Sequence, residues 1–352
     1  MTKHFINLKR GVSMTLKDIA EKAGVSMMTV SNVINGKHNR VSAKTIEKVN
    51  AIIKECGYVP NLSARSLTNK SSSIIGIIIH LDEGSDNENY LENPYVSTMI
   101  GTIERELRHN GYYTMVRSVS RNADITQLLK NWNVDGIIFL YPDQRDYFRK
   151  FIESAPCPVA IFDSHLKIPG LINVCSDDEK GIYLATKYVI NKGHSHIAFV
   201  ADYEGNYLLT NRFNGYCRAL DECGIPLREE YVLRFPPSYE GGILAGKEIA
   251  SGKARATAAV TTADICAIGI MEGARLGGLR VPVDLSVIGY DNLGLCQYTS
   301  PKLTSISQHI PQKAVLATQL LLKKIRNEET DFSDPVVMDV EIIERQSVIS
   351  LF

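Results

Sequence analysis

The residues whose types and spacing could do chemistry fall into three groups. In Met27-Met28-Thr29-Val30-Ser31-Asn32-Val33-Ile34, helical spacing puts Val30, Val33 and Ile34 on one face and leaves Met27, Met28, Ser31 and Asn32 on the other. Such side chains at the start of a helix suit base edges in a major groove, and nearby Ser and Thr hydroxyls suit phosphate oxygens. The second group is His194 and His196, at i and i+2 beside the apolar run Ile197–Val200. On a strand they point to opposite faces and cannot share a metal, so structural roles are expected. The third is the acidic stretch from Asp82 to Glu92, which reads as a solvated loop rather than a metal site. No G-x-x-x-x-G-K-[ST] phosphate loop, G-x-S-x-G elbow or H-E-x-x-H zinc helix occurs. An enzyme is not expected, nor a metal or a cofactor.

Charge separates the chain into two parts. Across 352 residues 39 basic side chains balance 39 acidic ones, yet residues 1–70 hold 12 Lys and Arg against 4 Asp and Glu. That end carries +8 and the remainder −8, the pattern of a small module that meets a polyanion joined to an acidic body. Length allows roughly two to three domains. No apolar run approaches the ~18 residues of a membrane span, and Met1–Val12 has no secretory pattern. Seven scattered Cys with no C-x-x-C pair indicate neither a disulfide framework nor a zinc ribbon. A cytoplasmic protein with no membrane partner is expected.

The basic end contains three short amphipathic segments. Thr15 caps the first, with Asp18 three residues on, and Leu16, Ile19, Ala20 and Ala23 form its apolar stripe. Gly24 ends it, Ser26 caps the second, and Asn35-Gly36 opens a polar loop. Ser42 caps the third, whose apolar residues are Ile46, Val49, Ile53 and Cys56, and Gly57 stops it. Two helices joined by a tight Gly turn have the form of a helix-turn-helix. Beyond Tyr58-Val59-Pro60, the segment Asn61–Leu67 has helical length but too little apolar surface to fold alone, and Asn69–Ser73 reads as a linker. Ordering on binding would explain such a helix.

From Ser73 apolar strands alternate with amphipathic helices. Ile74–Ile79 is the continuous apolar run of a strand buried on both faces. Further strands are expected at 113–116, 136–140, 159–162, 197–200, 258–260 and 285–289. Helices are expected at about 95–110, 178–192, 212–223, 265–276 and 308–326. This alternation predicts an α/β body with parallel sheets, in two lobes with a ligand crevice at their strand ends.

The ordered motifs resemble the lac repressor/galactose repressor family of bacterial transcriptional regulators. They run from Thr15-Leu16-Lys17-Asp18-Ile19-Ala20, Gly24-Val25-Ser26 and Thr29-Val30-Ser31 through Gly57-Tyr58-Val59-Pro60-Asn61 and Ala64-Arg65-Ser66-Leu67. In the body Asn93-Pro94-Tyr95, Val134-Asp135-Gly136, Arg212-Phe213-Asn214-Gly215-Tyr216, Val287-Ile288-Gly289-Tyr290-Asp291-Asn292 and Glu344-Arg345-Gln346-Ser347 continue the match.

The resemblance implies a fold: a small all-α helix-turn-helix headpiece plus an α/β two-lobe, periplasmic-binding-protein-like body with parallel sheets. The implied divisions are a 1–13 extension, a 14–60 headpiece, a 61–72 hinge helix and linker, and a 73–352 effector-binding and dimerisation body. Its N-lobe would be about 73–174 and 305–332, its C-lobe about 175–304 and 333–352, with three crossings between them. The implied function is repression of carbohydrate-utilisation genes by a homodimer on a pseudo-palindromic double-stranded DNA operator, modulated by a sugar or sugar phosphate in the interlobe cleft.

By the same resemblance Met27, Met28 and Asn32 would read bases, with Asn32 matching adenine N6/N7 where many members carry Arg. Thr15, Ser26, Thr29, Ser31, Asn35, Arg40, Ser42, Thr45, Tyr58 and Asn61 would contact the DNA backbone. Ala64, Arg65 and Leu67 would lie in the minor groove, Leu67 inserting between base pairs. Tyr95, Asp163, Arg212, Asp264 and Asp291 would bind the effector. The alternative input is a phosphorylated protein co-regulator in place of a free sugar, and a transport binding protein is the rival for the body. Lys9-Arg10-Gly11-Val12 is encodable by a purine-rich ribosome-binding stretch, so translation is expected to start at Met14. No Leu-heptad follows Ser347, which favours a dimer over a tetramer.

Overall fold

The computed structural model describes residues 14–34, 36, 38–58, 71–81, 89–120, 125, 133–141, 146–328 and 334–352. They form two compact units, divided between Ser72 and Ser73. The 1–13 extension, Asn35, residues 82–88 of the acidic stretch, and the hinge residues Asn61, Ala64, Arg65 and Leu67 lie outside the described residues.

The first unit contains α1 (Leu16–Ala23), α2 (Met27–Ile34) and α3 (Ala43–Cys56). Thr15 and Asp18 close a capping box on α1, satisfying two N-terminal N–H groups reciprocally. Gly24 ends α1 at φ +64°, where its N–H reaches the Ala20 and Glu21 carbonyls, and a side chain would strain that turn. The expected stripes meet in one small core: Ile19, Ala20, Ala23, Val30, Val33 and Val49 are buried, with Leu16, Val25, Ile46, Ile53 and Tyr58 packed around them. The helix-turn-helix read from the sequence is therefore present.

Among its described residues the second unit has two six-stranded sheets. The first comprises β1 (Ile74–Leu81), β2 (Tyr113–Ser120), β3 (Gly136–Leu140), β4 (Val159–Phe162), β5 (Ile172–Ser176) and β11 (Val336–Met338), all parallel, in the order β11-β5-β4-β3-β1-β2. The second comprises β6 (Ile197–Val200), β7 (Val232–Leu233), β8 (Ala258–Thr261), β9 (Ser286–Asp291), β10 (Thr304–Ser307) and β12 (Glu341–Ile343), in the order β12-β10-β9-β8-β6-β7. Only β12 runs antiparallel there, against β10. Each sheet repeats one doubly wound order plus an edge strand, and in such sheets ligands bind outside the carboxyl ends of the strands.

Among the described residues the helices of this unit are α4 (Pro94–His109), α5 (Asp146–Glu153), α6 (Asp178–Asn191), α7 (Tyr207–Glu222), α8 (Tyr239–Ala250), α9 (Asp264–Leu276) and α10 (Ile310–Ile325). The chain passes between sheets at Asp177, at Gln308-His309 and at Asp339-Val340. These crossings differ slightly from the expected lobe limits. The 304–307 segment pairs in register with β9 of the second sheet rather than joining the first, and 336–338 pairs with β5 of the first. At each changeover the chain completes its strand, β5, β10 or β11, before it leaves the sheet. The Asp177 N–H donates to the Met338 carbonyl at 3.1 Å, tying two crossings together.

The seven cysteines are all free. Among the described residues no helix is long and apolar enough to cross a membrane.

Candidate functional site

Two surfaces collect the expected residues, one in each unit. On the first, Met27 and Met28 open α2 and are 55% and 71% exposed, an unusual display for large apolar side chains. Ser31 and Asn32 follow one turn later, half-buried. Ser26 accepts from the Thr29 N–H at 3.1 Å, and their hydroxyls lie 2.9 Å apart. Ser42 and Thr45 repeat the arrangement at the start of α3, their hydroxyls 2.8 Å apart. Only one proton can lie between the two oxygens of each pair, so the other is available to an outside acceptor. Added to the positive end of each helix, this suits a phosphate.

Thr15 differs from these. Its hydroxyl and its backbone N–H both donate to Asp18 Oδ2 at 2.8 Å, and these bonds hold the Asp18 carboxyl below its usual range. With its one hydroxyl proton committed, Thr15 serves as the cap of α1 and has none to give a phosphate. Arg40 is exposed in the 38–40 turn, and Tyr58 is half-buried against the headpiece core.

The second surface lies at the carboxyl ends of the strands of the body. Backbone in the left-handed region concentrates there: Tyr141 after β3 (φ 56°), Asp163 after β4 (φ 51°), Asp291 closing β9 (φ 117°) and His309 after β10 (φ 52°). Such conformations are costly for residues with a Cβ and gather at functional sites. Pro94 in the first turn of α4 and the Asn93 cap bring Tyr95 to this edge, where its hydroxyl donates to Asp163 Oδ2 at 3.5 Å. The Tyr95 and Tyr141 rings stand 5.9 Å apart. Asp163, Asp291 and Arg212 all act electrostatically on the Tyr95 phenol, so four of the five expected effector residues converge here.

Arg212 is buried and anchored on three sides. Its Nε donates to Asp178 Oδ1 at 2.8 Å, a second guanidinium nitrogen lies 2.7 Å from that oxygen, and a third donates to the Thr262 carbonyl at 2.6 Å. Burial disfavours the cation, but Asp178 and Tyr290 outweigh it and hold Arg212 protonated. Asp291 accepts from Gln308 Nε2 at 2.5 Å. Burial, with Asp264 nearby, pushes its carboxyl up to about 8 against the opposing pull of Arg212 and Gln308. Hydroxyl groups of a polyol could pair with such carboxyl groups and with the phenols.

Asp264 has a different part from the one expected. It is fully buried, and both oxygens are occupied: Oδ1 accepts from the Ser305 hydroxyl at 2.5 Å, Oδ2 from the Leu293 N–H at 2.7 Å and from Cys296 Sγ at 3.0 Å. With no exposed surface, Asp264 holds the turn after Asp291.

Sequence reasoning missed Tyr141, Ser176, Asp178, Thr262, Tyr290, Gln308 and Lys313. Ser176 closes β5, a strand not expected from the sequence, and Gln308 opens the expected 308–326 helix but lies before its first turn, at a crossing. Thr262 lies just beyond β8, and its buried Oγ1 has no hydrogen-bond partner among the described residues. The two histidines serve the fold separately, as expected. His194 bridges the Thr257 hydroxyl at 2.9 Å and the Ile349 carbonyl at 3.1 Å, while His196 sits edge-on to Tyr231.

Residues 15–61 match the model of bacterial regulatory proteins, lacI family, and residues 186–348 that of a periplasmic binding protein-like domain. The chain is 32% identical over 342 residues to the HTH-type transcriptional repressor PurR of Vibrio atlanticus, covering 96% of this chain and 99% of the relative. It is 31% identical, with the same coverage, to the ribose operon repressor of Haemophilus influenzae. Among solved structures it resembles the lac repressor dimer bound to operator and the anti-inducer ONPF, with TM-score 0.82, 26% identity and coverage of 96% and 99% of the two chains. The chain belongs to the lacI family of bacterial regulatory proteins.

Proposed function

We propose that this regulator represses transcription as a homodimer on a pseudo-palindromic operator, and that a small polyhydroxylated ligand in the interlobe cleft sets its affinity for that operator. Met27, Met28 and Asn32 read bases, and the Ser26–Thr29 and Ser42–Thr45 pairs hold phosphates together with Ser31 and Arg40. Tyr95, Asp163, Arg212 and Asp291 recognise the ligand. The chain acts in the cytoplasm, where its DNA is, and catalyses no reaction.

The convergence of Tyr95, Asp163, Asp291 and Arg212 at strand ends carries this reading. Carboxylates and phenols aimed at one crevice give a sugar several hydroxyl partners at once, and the ribose operon repressor and the operator-bound lac repressor dimer are relatives of the same plan. A ligand changes DNA affinity only by its unequal affinity for two arrangements of the lobes. The test is calorimetric titration of the full chain with a panel of free pentoses, hexoses and disaccharides, repeated on Arg212→Ala. The expected result is saturable binding of at least one sugar and its loss in the variant. Binding by none of the panel, or equal binding by the variant, contradicts the cleft assignment.

A further inference from the structure

One buried ammonium group joins the first lobe to a crossing between the lobes. Lys313, in the first turn and a half of α10, has no exposed surface. Its Nζ donates to both Asp163 oxygens, at 2.5 and 2.6 Å, to Ser176 Oγ at 2.9 Å and to Gln308 Oε1 at 3.0 Å. Asp163 belongs to the end of β4, Ser176 precedes the first crossing, and Gln308 is the second crossing itself. The Gln308 amide is thereby oriented: its oxygen faces Lys313 and its Nε2 donates to Asp291 at 2.5 Å. A continuous chain of hydrogen bonds, charge-assisted at Lys313, thus runs from Asp163 in one lobe, through Lys313 and Gln308, to Asp291 in the other.

We propose that Lys313 is a positioning residue that fixes the two cleft carboxylates, Asp163 and Asp291, relative to one another across the hinge. This rests on the reading of the cleft as the effector site, because it is those carboxylates that it holds. A buried lysine is retained only where its charge is compensated and its protons are all received, and both conditions are met by groups at the crossings. The Gln308 amide carries the effect onward: a cation on its oxygen strengthens donation from its nitrogen. A lysine that merely filled space in α10 would have no reason to turn its ammonium to the crossing and no consequence at Asp291.

That consequence has a sign. The groups facing Asp291 are Asp264 from α9, Arg212 from α7, the phenols of Tyr95 and Tyr141, the Cys296 thiol, Gln308 from the second crossing, Lys313 from α10, and Arg345 through Asn292. Lys313 stabilises the ionised form of Asp291, whereas an anion at Asp163, bonded to the same ammonium, must oppose that effect by like-charge repulsion. Removing the cation and removing its counter-anion must therefore move Asp291 in opposite directions.

The experiment is the pH titration of the side-chain carboxyl carbon of Asp291 in full chain labelled with carbon-13 at aspartate, the resonance being identified by its loss in Asp291→Asn. Expected are a higher midpoint in Lys313→Met, a lower one in Asp163→Asn, each by about one pH unit or tenfold in proton affinity, and a return toward the parent value in the double variant. Midpoints that move in the same direction, or do not move, overturn the proposal. Should Lys313→Met fail to fold, the double variant against Asp163→Asn alone decides, since the midpoint must still be higher in the double variant. No sugar is present in this titration, so it can fail while sugar binding in the cleft stands, and succeed where no sugar binds.

Discussion

The Arg212 guanidinium lies 3.7 Å over the centre of the Tyr290 ring, and the Tyr290 hydroxyl donates at 3.1 Å to the same Asp178 oxygen that Arg212 grips. A cation clamped by a carboxylate below and an aromatic face beside it has one orientation. Gly181, in α6, makes room for that ring, since a Cβ there would stand 2.6 Å from its edge.

Arg212→Lys is accordingly not a conservative change. A lysine cannot make the paired contact with Asp178, bond the Thr262 carbonyl and lie flat on Tyr290 at once. The expected loss is roughly 10- to 100-fold in sugar affinity, on the order of 1.5–3 kcal/mol for hydrogen bonds to a charged group, read by calorimetric titration. An unchanged affinity would remove Arg212 from the ligand contacts.

Asp264 and Tyr95 separate stability from recognition. Asp264→Ala strands the Leu293 N–H in a buried turn, at about 1–3 kcal/mol, and urea unfolding should show it directly. Tyr95→Phe removes one hydroxyl with a single 3.5 Å bond and should leave unfolding nearly unchanged while weakening the sugar. The reverse pattern would exchange their roles.

Stability should depend on pH through Asp291. An unfolded aspartate titrates near 3.9, whereas the folded carboxyl is pushed up to about 8. Between these values the folded chain holds a proton that the unfolded chain has released, so stability falls as pH rises and the penalty is complete only above the folded value. Asp291→Asn should therefore raise the melting temperature more at about pH 9 than at about pH 5. Scanning calorimetry at both values checks this, and an equal shift at both would contradict it.

On the DNA side, Asn32→Arg should move the preference at one operator position from A to G, with about 1–3 kcal/mol of discrimination from a bidentate contact. Met28→Ala should weaken binding at sites with a thymine methyl in its reach. Affinities for all four bases at that position, measured for both proteins, decide the matter. An unchanged preference would mean that Asn32 does not face a base.

Much of this architecture is legible in the sequence, because periodicity and capping report on local structure. The Thr15–Asp18 box, the Gly24 turn and the apolar runs of β1, β3, β4 and β6 each stand out within a few residues. Helix α8 does not, since Gly241, Gly242 and Gly246 weaken its helical signal. Their reason is tertiary: a Cβ on Gly242 or Gly246 would overlap the Cys266 or Ile270 carbonyl of α9. The short strands at 304–307, 336–338 and 341–343 are missed because their identity lies in their pairing partners. The cleft is half legible for the same reason. Asp291 and Arg212 sit in recognisable motifs, whereas Lys313 looks like any cation on an amphipathic helix until Asp163, 150 positions away in sequence, is seen against it.

The most direct test of the account is selection of sheared host-genome fragments on the purified full chain at physiological salt, with and without each sugar of the panel, followed by sequencing of what is retained. Expected is one enriched pseudo-palindrome whose retention changes with a particular sugar, and no such change for Arg212→Ala. Retention without sequence preference under every condition would contradict it.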